Sequence, residues 1–329
     1  MSVLSVADAI DLVAAIFGKY GCGSDNARSV ARALVAAEAD GLRGHGFSRI
    51  PTYLAMVKTG KIDGKATPRE TLPRPGVLAI DAACGFAYPA IDLALTQLPN
   101  IASTQGIGVA AINRSNHCGA AGLPCEALAR QGLVALLFAN TPSAMAPWGG
   151  RTPVFGTNPI AFATPTRGEH PVVVDLALSK VARGPIAAAK QRGESIPEGW
   201  ALDTDGNPTT DPAAALAGTM IPLGDAKGAA LAFMVEILAA CLTGSNLAFE
   251  ASSFLDGEGG PPQTGQLILA IDPAAFGHQR FLDRVAALVG AIDAQDGARL
   301  PGSRRLAIRA RAAREGLAIP PEIKALADN

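Results

Sequence analysis

An excess of charge of either sign is missing from this sequence: 28 Lys and Arg face 29 Asp and Glu, a formal net charge of -1, with no long block of one sign. That balance excludes the electrostatic footprint of a nucleic-acid or membrane-surface binder, so a small anionic substrate would need its own local pocket of charge. Cysteine is sparse, five residues (Cys22, Cys84, Cys118, Cys125, Cys241) with no CxxC pair or metal-finger spacing. An odd, scattered set reads as reduced, buried thiols and names no metal site. No apolar run reaches bilayer length before Gly, Pro or charge breaks it, and the N-terminal stretch lacks a basic start and a cleavage site. A cytoplasmic protein with neither membrane nor nucleic-acid partners is expected. The signature loops of common enzymes are absent too: there is no P-loop, HExxH or serine elbow. "GIGVAAIN" supplies Gly106 and Gly108 without a third glycine and leads into a strand, so any nucleotide binds outside the Rossmann pattern.

What is present suits an α/β chain with more than one core, for which 329 residues are ample. Helical spacing of apolar residues predicts two opening helices between Ser5 and Ala39, with Ser24 or Asp25 as a cap of the second, and another helix near Ile50 to Thr59. "GVLAIDAACGFAYP" reads as a strand and turn and "AIDLALTQLPNIASTQG" as a helix. Short buried strands follow in "GVAAIN", "LVALLFAN", "PIAFATP" and "PVVVDLA", separated by loops rich in Gly, Pro, Asn and Ser. Ile196 to Pro212 reads as an ordered surface loop. "KGAALAFMVEILAACLTG" has the apolar density of a buried helix ending near Gly244, and "GQLILAIDP" is a strand stopped by Pro273. Two terminal helices are expected in "HQRFLDRVAALVGAI" and near Ala307 to Glu315. The expected division is an N-terminal helical part (1–70), a central cofactor-binding sheet domain (71–245) and a C-terminal part (246–329) packing back on the first helices.

Of the four histidines, His45 and His117 sit in glycine-bearing turns. Gly44 and Gly46 flank His45, and Arg49 would share its face if a helix starts there; an Arg fork grips a carboxylate at two points, which suits an acid substrate. The alternative for His45 is a turn residue capping a helix. His117 precedes "CGAAG", small residues whose exposed amides could cradle a phosphate or underlie a flat ring. A neutral imidazole there could move a proton, or be a hydrogen-bonded core histidine. Lys227 opens the most apolar helix, where a bound anion would offset its poor placement on the dipole. Arg299, Arg304 and Arg305 crowd a Pro-Gly turn and could grip a nucleotide phosphate or simply face solvent. Thr157 and Asn158 stand at the mouth of a strand. Asp175 ends another, where an Asp can bind a ribose hydroxyl or cap a turn.

Taken together and in order, "HGFSRIPTY", "SNHCGAAG", "APWGGRTPVFGTNPIAFATPT", "IPEGWALDTDGNPTTDP", "KGAALAFMVEILAACLTG" and "RLPGSRR" resemble the malate/L-lactate dehydrogenase family of NAD(P)-dependent oxidoreductases. The resemblance implies a non-Rossmann fold: a central cofactor domain on a mixed, largely antiparallel sheet, clasped by a helical domain from both termini. It also implies a homodimer with active sites near the interface. His117, Cys118, Gly119, Ala120 and Ala121, then Asp175, Leu176 and Ala177, then Asp225, Ala226 and Lys227, match the family's cofactor contacts. So do Arg299, Gly302, Ser303, Arg304 and Arg305. Arg49 and Thr157 match its substrate-binding positions, His45 its catalytic histidine, and His117 the acid/base proposed in members that oxidise hydroxy acids.

The cofactor so implied is NADPH, with NADH possible, since Arg304 and Arg305 could meet a 2′-phosphate. The expected substrate is a small carboxylate. "TGQLILAIDP" and "RLPGSRR" look nearer the members that reduce Δ1-pyrroline-2-carboxylate and Δ1-piperideine-2-carboxylate, so hydride transfer to C2 of a cyclic 2-imino acid is the first expectation. The alternatives are a 2-hydroxy acid dehydrogenase of malate, lactate, sulfolactate or ureidoglycolate type, and an inactive cofactor-binding homologue. Gly44 stands where the family usually has Ser, and Pro185 where the imine reductases have Asp. A Ser-His-Asp relay on His45 therefore lacks two members, and His117 gains weight.

Overall fold

The computed structural model describes residues 2–277 and 280–328. In chain order its elements are β1 (Ser2–Leu4), α1 (Val6–Lys19), α2 (Ser24–Ala39), α3 (Ile50–Thr59), β2 (Arg69–Arg74), β3 (Val77–Asp81), α4 (Ala87–Gln105) and β4 (Ile107–Ser115). Next come α5 (Gly122–Ala129), β5 (Val134–Ala139), β6 (Ile160–Thr164), β7 (Val172–Leu176), α6 (Arg183–Arg192), β8 (Ala201–Leu202), β9 (Pro208–Thr209), α7 (Pro212–Ala217), β10 (Thr219–Met220) and α8 (Ala226–Glu236). The chain closes with β11 (Thr264–Ile271), α9 (Phe281–Asp293), α10 (Ser303–Glu315), β12 (Leu317–Ile319) and α11 (Pro321–Asp328).

Seven strands form the central sheet in the order β2-β3-β4-β11-β5-β6-β7. Only β3 and β4 run parallel, and the other neighbours are antiparallel. The sheet is thus mixed and largely antiparallel, as expected. Successive residues of β11 serve opposite faces: Ile268 joins the core beneath α4 and α5, and Leu267 the core shared with α8 and the small β10-β8-β9 sheet. β11 lies between β4 and β5 although the expected division at residue 245 groups it with the C-terminal part.

A third core joins both ends of the chain. Val13, Ile16 and Phe17 of α1 and Val30 and Leu34 of α2 pack with Tyr53, Ala312, Leu317 and Ile323. β1 pairs antiparallel with β12, Ser2 opposite Ile319. β1 and β12 are three residues each and were below what periodicity resolves. The expected helix from His278 begins at Phe281, and His278 and Gln279 lie outside the described residues. Ile196 to Pro212 is not a bare loop, because it carries the β8-β9 hairpin.

The segment read as one buried helix needs correction. α8 ends at Glu236, a π-turn spans Ile237–Cys241, and only a stripe of Gly228, Ala229, Ala232, Val235 and Glu236 in α8, continued by Ala239 and Ala240, is buried. Phe233, at 58% exposure, with Leu231, Met234 and Ile237, faces outward. Apolar density alone could not distinguish burial within this chain from a face left uncovered by it. Among the described residues no helix is long and apolar enough to cross a membrane.

Candidate active site

His45 and Arg49 do not share an α-helix. Two short 3-10 turns, Arg43–His45 and Phe47–Arg49, precede α3, and Arg49 is the residue before its first turn. Gly46 is needed between them: a Cβ there would lie 2.1 Å from Glu38 Oε2, the carboxylate that accepts from the Phe47 amide at 3.0 Å. The double turn folds Arg49 back so that Nε donates to Gly44 O at 2.8 Å, while Nη1 donates to Phe254 O at 3.4 Å. Nη2 is left without a protein acceptor among the described residues.

His117 arrives from the loop after β4, its amide donating to Asn116 Oδ1 at 2.7 Å. The two imidazoles stack, with centroids 5.3 Å apart and planes 9° from parallel. They differ in their partners. His117 Nδ1 meets Tyr53 Oη at 2.6 Å, and Tyr53 Oη meets Tyr88 Oη at 2.9 Å. His45 Nδ1 is buried with no partner, and Gly44 offers it no hydroxyl. A Cβ at Gly44 would meet nothing within 4 Å, so the space for that hydroxyl remains.

Burial, helped by the Arg49 charge, pulls His45 down to about 4. Burial also holds His117 well below the usual imidazole range, with Arg49 and His45 adding to the effect. Both rings are therefore neutral at pH 7, and in the tautomer in which Tyr53 donates to Nδ1 the His117 proton sits on Nε2.

The Phe254 ring stands edge-on to His117 with centroids 5.4 Å apart. Its segment is pinned by Lys61, whose side chain is 0% exposed and donates to Asp256 O at 3.2 Å and Glu258 O at 2.5 Å. Lys61→Met should lower stability by about 2 kcal/mol, because the carbonyls it serves lose a charged donor; urea unfolding followed by circular dichroism checks this.

Tyr53, Tyr88, Phe254 and Lys61 were not singled out in the sequence. Tyr53 alone left a signal, standing four residues after Arg49 where a helix was expected. The others reach the site through tertiary packing.

The expected cofactor residues fall into separate groups. Cys118, Ala120 and Ala121 are buried in the loop after His117, and Gly119 sits at φ +71° against Tyr88, where a Cβ would come within 2.7 Å of Oη. Burial pushes the Cys118 thiol up to about 12, which makes it inert. Asp175 Oδ2 accepts from Gly122 N at 2.8 Å, so this carboxylate holds the first amide of α5. Leu176 and Ala177 follow it at the sheet edge.

Asp225, Ala226 and Lys227 open α8 and are exposed. Thr157 shares a hydrogen bond with Thr141, its amide donating to Thr141 Oγ1 at 2.9 Å, and among the described residues it makes no hydrogen bond to the imidazole group. Gly302 touches β7 and Ser303 begins α10, with Arg299 and Arg304 exposed. Arg305, expected among the cofactor contacts, donates to Asp40 at 3.1 Å and Glu126 at 2.6 Å. Two buried acids outcompete solvent for it, so of that pair Arg304 is the one left accessible.

The sequence model of the malate/L-lactate dehydrogenase family matches residues 4–327. The chain belongs to this family. It is an oxidoreductase of the NAD(P)-dependent kind that the family comprises. Among its relatives, a (2R)-3-sulfolactate dehydrogenase (NADP(+)) of Chromohalobacter salexigens is 51% identical, covering 98% of this chain and 96% of the other. A Δ1-pyrroline-2-carboxylate/Δ1-piperideine-2-carboxylate reductase of Pseudomonas putida is 42% identical over 94% of this chain and 91% of its own length. The crystal structure of Δ1-piperideine-2-carboxylate reductase from Pseudomonas syringae superposes with a TM-score of 0.94, at 39% identity and covering 100% of this chain and 99% of that one. This family member therefore has relatives of both chemistries.

Proposed function

We propose that this member of the family interconverts a small 2-oxo acid and the matching 2-hydroxy acid with a nicotinamide cofactor. The observation that carries this reading is the partnered donor at His117, with Nδ1 bonded to Tyr53 at 2.6 Å and Nε2 left for a ligand. An oxo acid needs a proton on oxygen as well as a hydride on carbon, and this site has a group arranged to deliver one. The order of the two chemistries expected from the sequence is thereby reversed. Imine reduction is the second reading, favoured by the 42% identical relative. A cyclic imine that arrives already protonated on nitrogen needs only the hydride, so the His117 arrangement gives it no particular support. The assembled arginine and imidazoles speak against a protein that has lost catalysis.

Two groups beside the His117 loop, one just before it and one on β11, would suit a nicotinamide. Asn116 Nδ2 and Gln266 Oε1 are buried without partners, one donor and one acceptor, the complement of a carboxamide. Backbone amides from Cys118 to Ala121, with Asp175 and the exposed Arg304, would hold the rest, and Arg304 together with the relative's NADP(+) supports NADPH over NADH. When bound, the reduced cofactor supplies the hydride to C2. Arg49 grips the substrate carboxylate through its open Nη2 edge. His117 gives its Nε2 proton to the oxygen on C2, and neutral His45 lies parallel beside it. Phe254 covers the pocket from water. Thr157 would complete the substrate site, and the outward apolar face of α8 would pair with a second copy as the homodimer interface.

Turnover of NADPH with sulfopyruvate, pyruvate and oxaloacetate, set beside Δ1-pyrroline-2-carboxylate, tests the assignment. We expect kcat/KM for at least one oxo acid, sulfopyruvate first, to exceed that for the imine by about tenfold or more, a difference of roughly 1.4 kcal/mol in transition-state stabilisation. Turnover of the imine alone would overturn it.

A further inference from the structure

Behind His117, on the side away from Nε2, two buried phenols continue the hydrogen-bonded line. Tyr53 comes from α3 and Tyr88 from the first turn of α4, and their hydroxyls sit 2.9 Å apart. Tyr88 also lines a cavity of about 170 Å³ between α2, α4 and α5, with Ser29, Arg32, Asp92, Cys118 and Leu123 in its walls. Such a space holds about five waters. Its polar side is fixed, since Asp92 accepts from Ser29 Oγ at 2.6 Å and Arg32 Nη2 at 2.7 Å. Arg32 and Asp92 are about half exposed, so the cavity communicates with solvent.

We propose that Tyr53 and Tyr88 form a proton line from this cavity to His117, lending the imidazole a proton during the closed chemical step. The inference rests on the reading of His117 as the donor to an oxo acid. In the reducing direction the hydride pair forms the C–H bond at C2, and the carbonyl π pair moves to oxygen, which takes the Nε2 proton. His117 Nδ1 takes the proton of Tyr53, Tyr53 takes that of Tyr88, and Tyr88 takes one from water in the cavity. Both phenols and the imidazole stay neutral, and only the imidazole tautomer has changed. When product leaves, Nε2 takes a proton from solvent and Nδ1 returns its own along the same line, which restores the starting state.

The surroundings agree with such concerted movement. Burial pushes the Tyr53 hydroxyl up to about 12 and the Tyr88 hydroxyl well above 10, so neither phenolate accumulates at neutral pH. Burial equally disfavours a charged His117. A neutral imidazole that cannot hold a second proton donates freely only if its other nitrogen is refilled in the same step.

Tyr88→Phe keeps the ring and the Tyr53–His117 bond while cutting the line. In the full-length enzyme with NADPH and the best oxo acid, kcat should fall about tenfold with KM unchanged. The solvent deuterium isotope effect on kcat should rise, and added imidazole buffer should restore part of the rate. NADPH affinity, read by fluorescence titration, should not move. Leu123→Trp fills the cavity while replacing none of the hydrogen-bonded groups, and it should raise the solvent isotope effect too, which covers the case in which Tyr88→Phe does not fold. Wild-type rate and isotope effect in Tyr88→Phe, or in Leu123→Trp should Tyr88→Phe not fold, overturn the proposal. His117→Gln separates the two failures: an inactive His117→Gln beside a fully active Tyr88→Phe sinks the line alone, and an active His117→Gln sinks the donor assignment beneath it.

Discussion

Arg49→Gln is expected to raise the KM for an oxo acid about a hundredfold, the loss of roughly 3 kcal/mol that follows when a charge pair in a sheltered site loses one partner. The protein itself fixes the guanidinium, with Nε on Gly44 O and Nη1 on Phe254 O, so the open edge is presented in one orientation. Arg49→Lys tests whether the fork or the charge matters. A point charge cannot reproduce two parallel bonds, and KM should stay raised by at least tenfold. The same Arg49→Gln variant removes a charge that helps hold both imidazoles neutral. Because burial is the larger cause, the His45 titration should climb only part of the way from about 4 toward 6.5, which NMR titration of the ring protons would read. An unchanged KM would remove Arg49 from the substrate site.

The largest effect on stability is expected at Glu126. Its carboxylate, 4% exposed, accepts from Arg130, Arg305 and Arg309, and the last two also donate to Asp40, whose side chain is 0% exposed. Asp40 closes α2, Glu126 sits in α5 and both arginines in α10, so one cluster joins the N-terminal helices, the sheet's helical cover and the C-terminal helix. Glu126→Ala takes an acceptor from three guanidinium groups, those of Arg130, Arg305 and Arg309, and should cost about 3–5 kcal/mol in denaturant unfolding.

Burial raises the Glu126 carboxyl, but the hydrogen bonds from Arg309 and Arg130 and the Arg305 charge more than reverse this, and it ends at about 2 against an ordinary 4.5. A carboxylate depressed in the fold stabilises fully above 4.5 and loses its contribution as pH falls through 4.5 to 2. Glu126→Gln should flatten that part of the stability curve. A curve as steep as the wild type's would assign acid sensitivity elsewhere.

Much of this architecture was legible in the sequence, because the central strands are short, β-rich and bounded by Gly and Pro, and because the long motifs occur in family order. His45 and His117 were found for a physical reason: histidine is rare in this chain and both lie in glycine-bearing turns, with Arg49 four residues after the first. The acid partners of Arg305 were not legible, because a run of arginines does not disclose its partners, and Asp40 and Glu126 are 179 and more residues away. Tyr88 and Phe254 carry no local mark, since an aromatic residue among apolar ones reads as core. α8 misled in the opposite sense, its outer face being as apolar as its inner one.

The place of β11 has a consequence for synthesis on the ribosome. The strand at the middle of the sheet is the last of the seven to be made, spanning Thr264–Ile271. Until it emerges, the nascent chain holds two three-stranded pieces, β2-β3-β4 and β5-β6-β7, each with an open edge at β4 or β5 that nothing yet seals. Those edges are templates for wrong pairing between neighbouring chains on a polysome. We expect truncation before that late strand to leave both edges bare and the shortened chain to aggregate where the full chain does not.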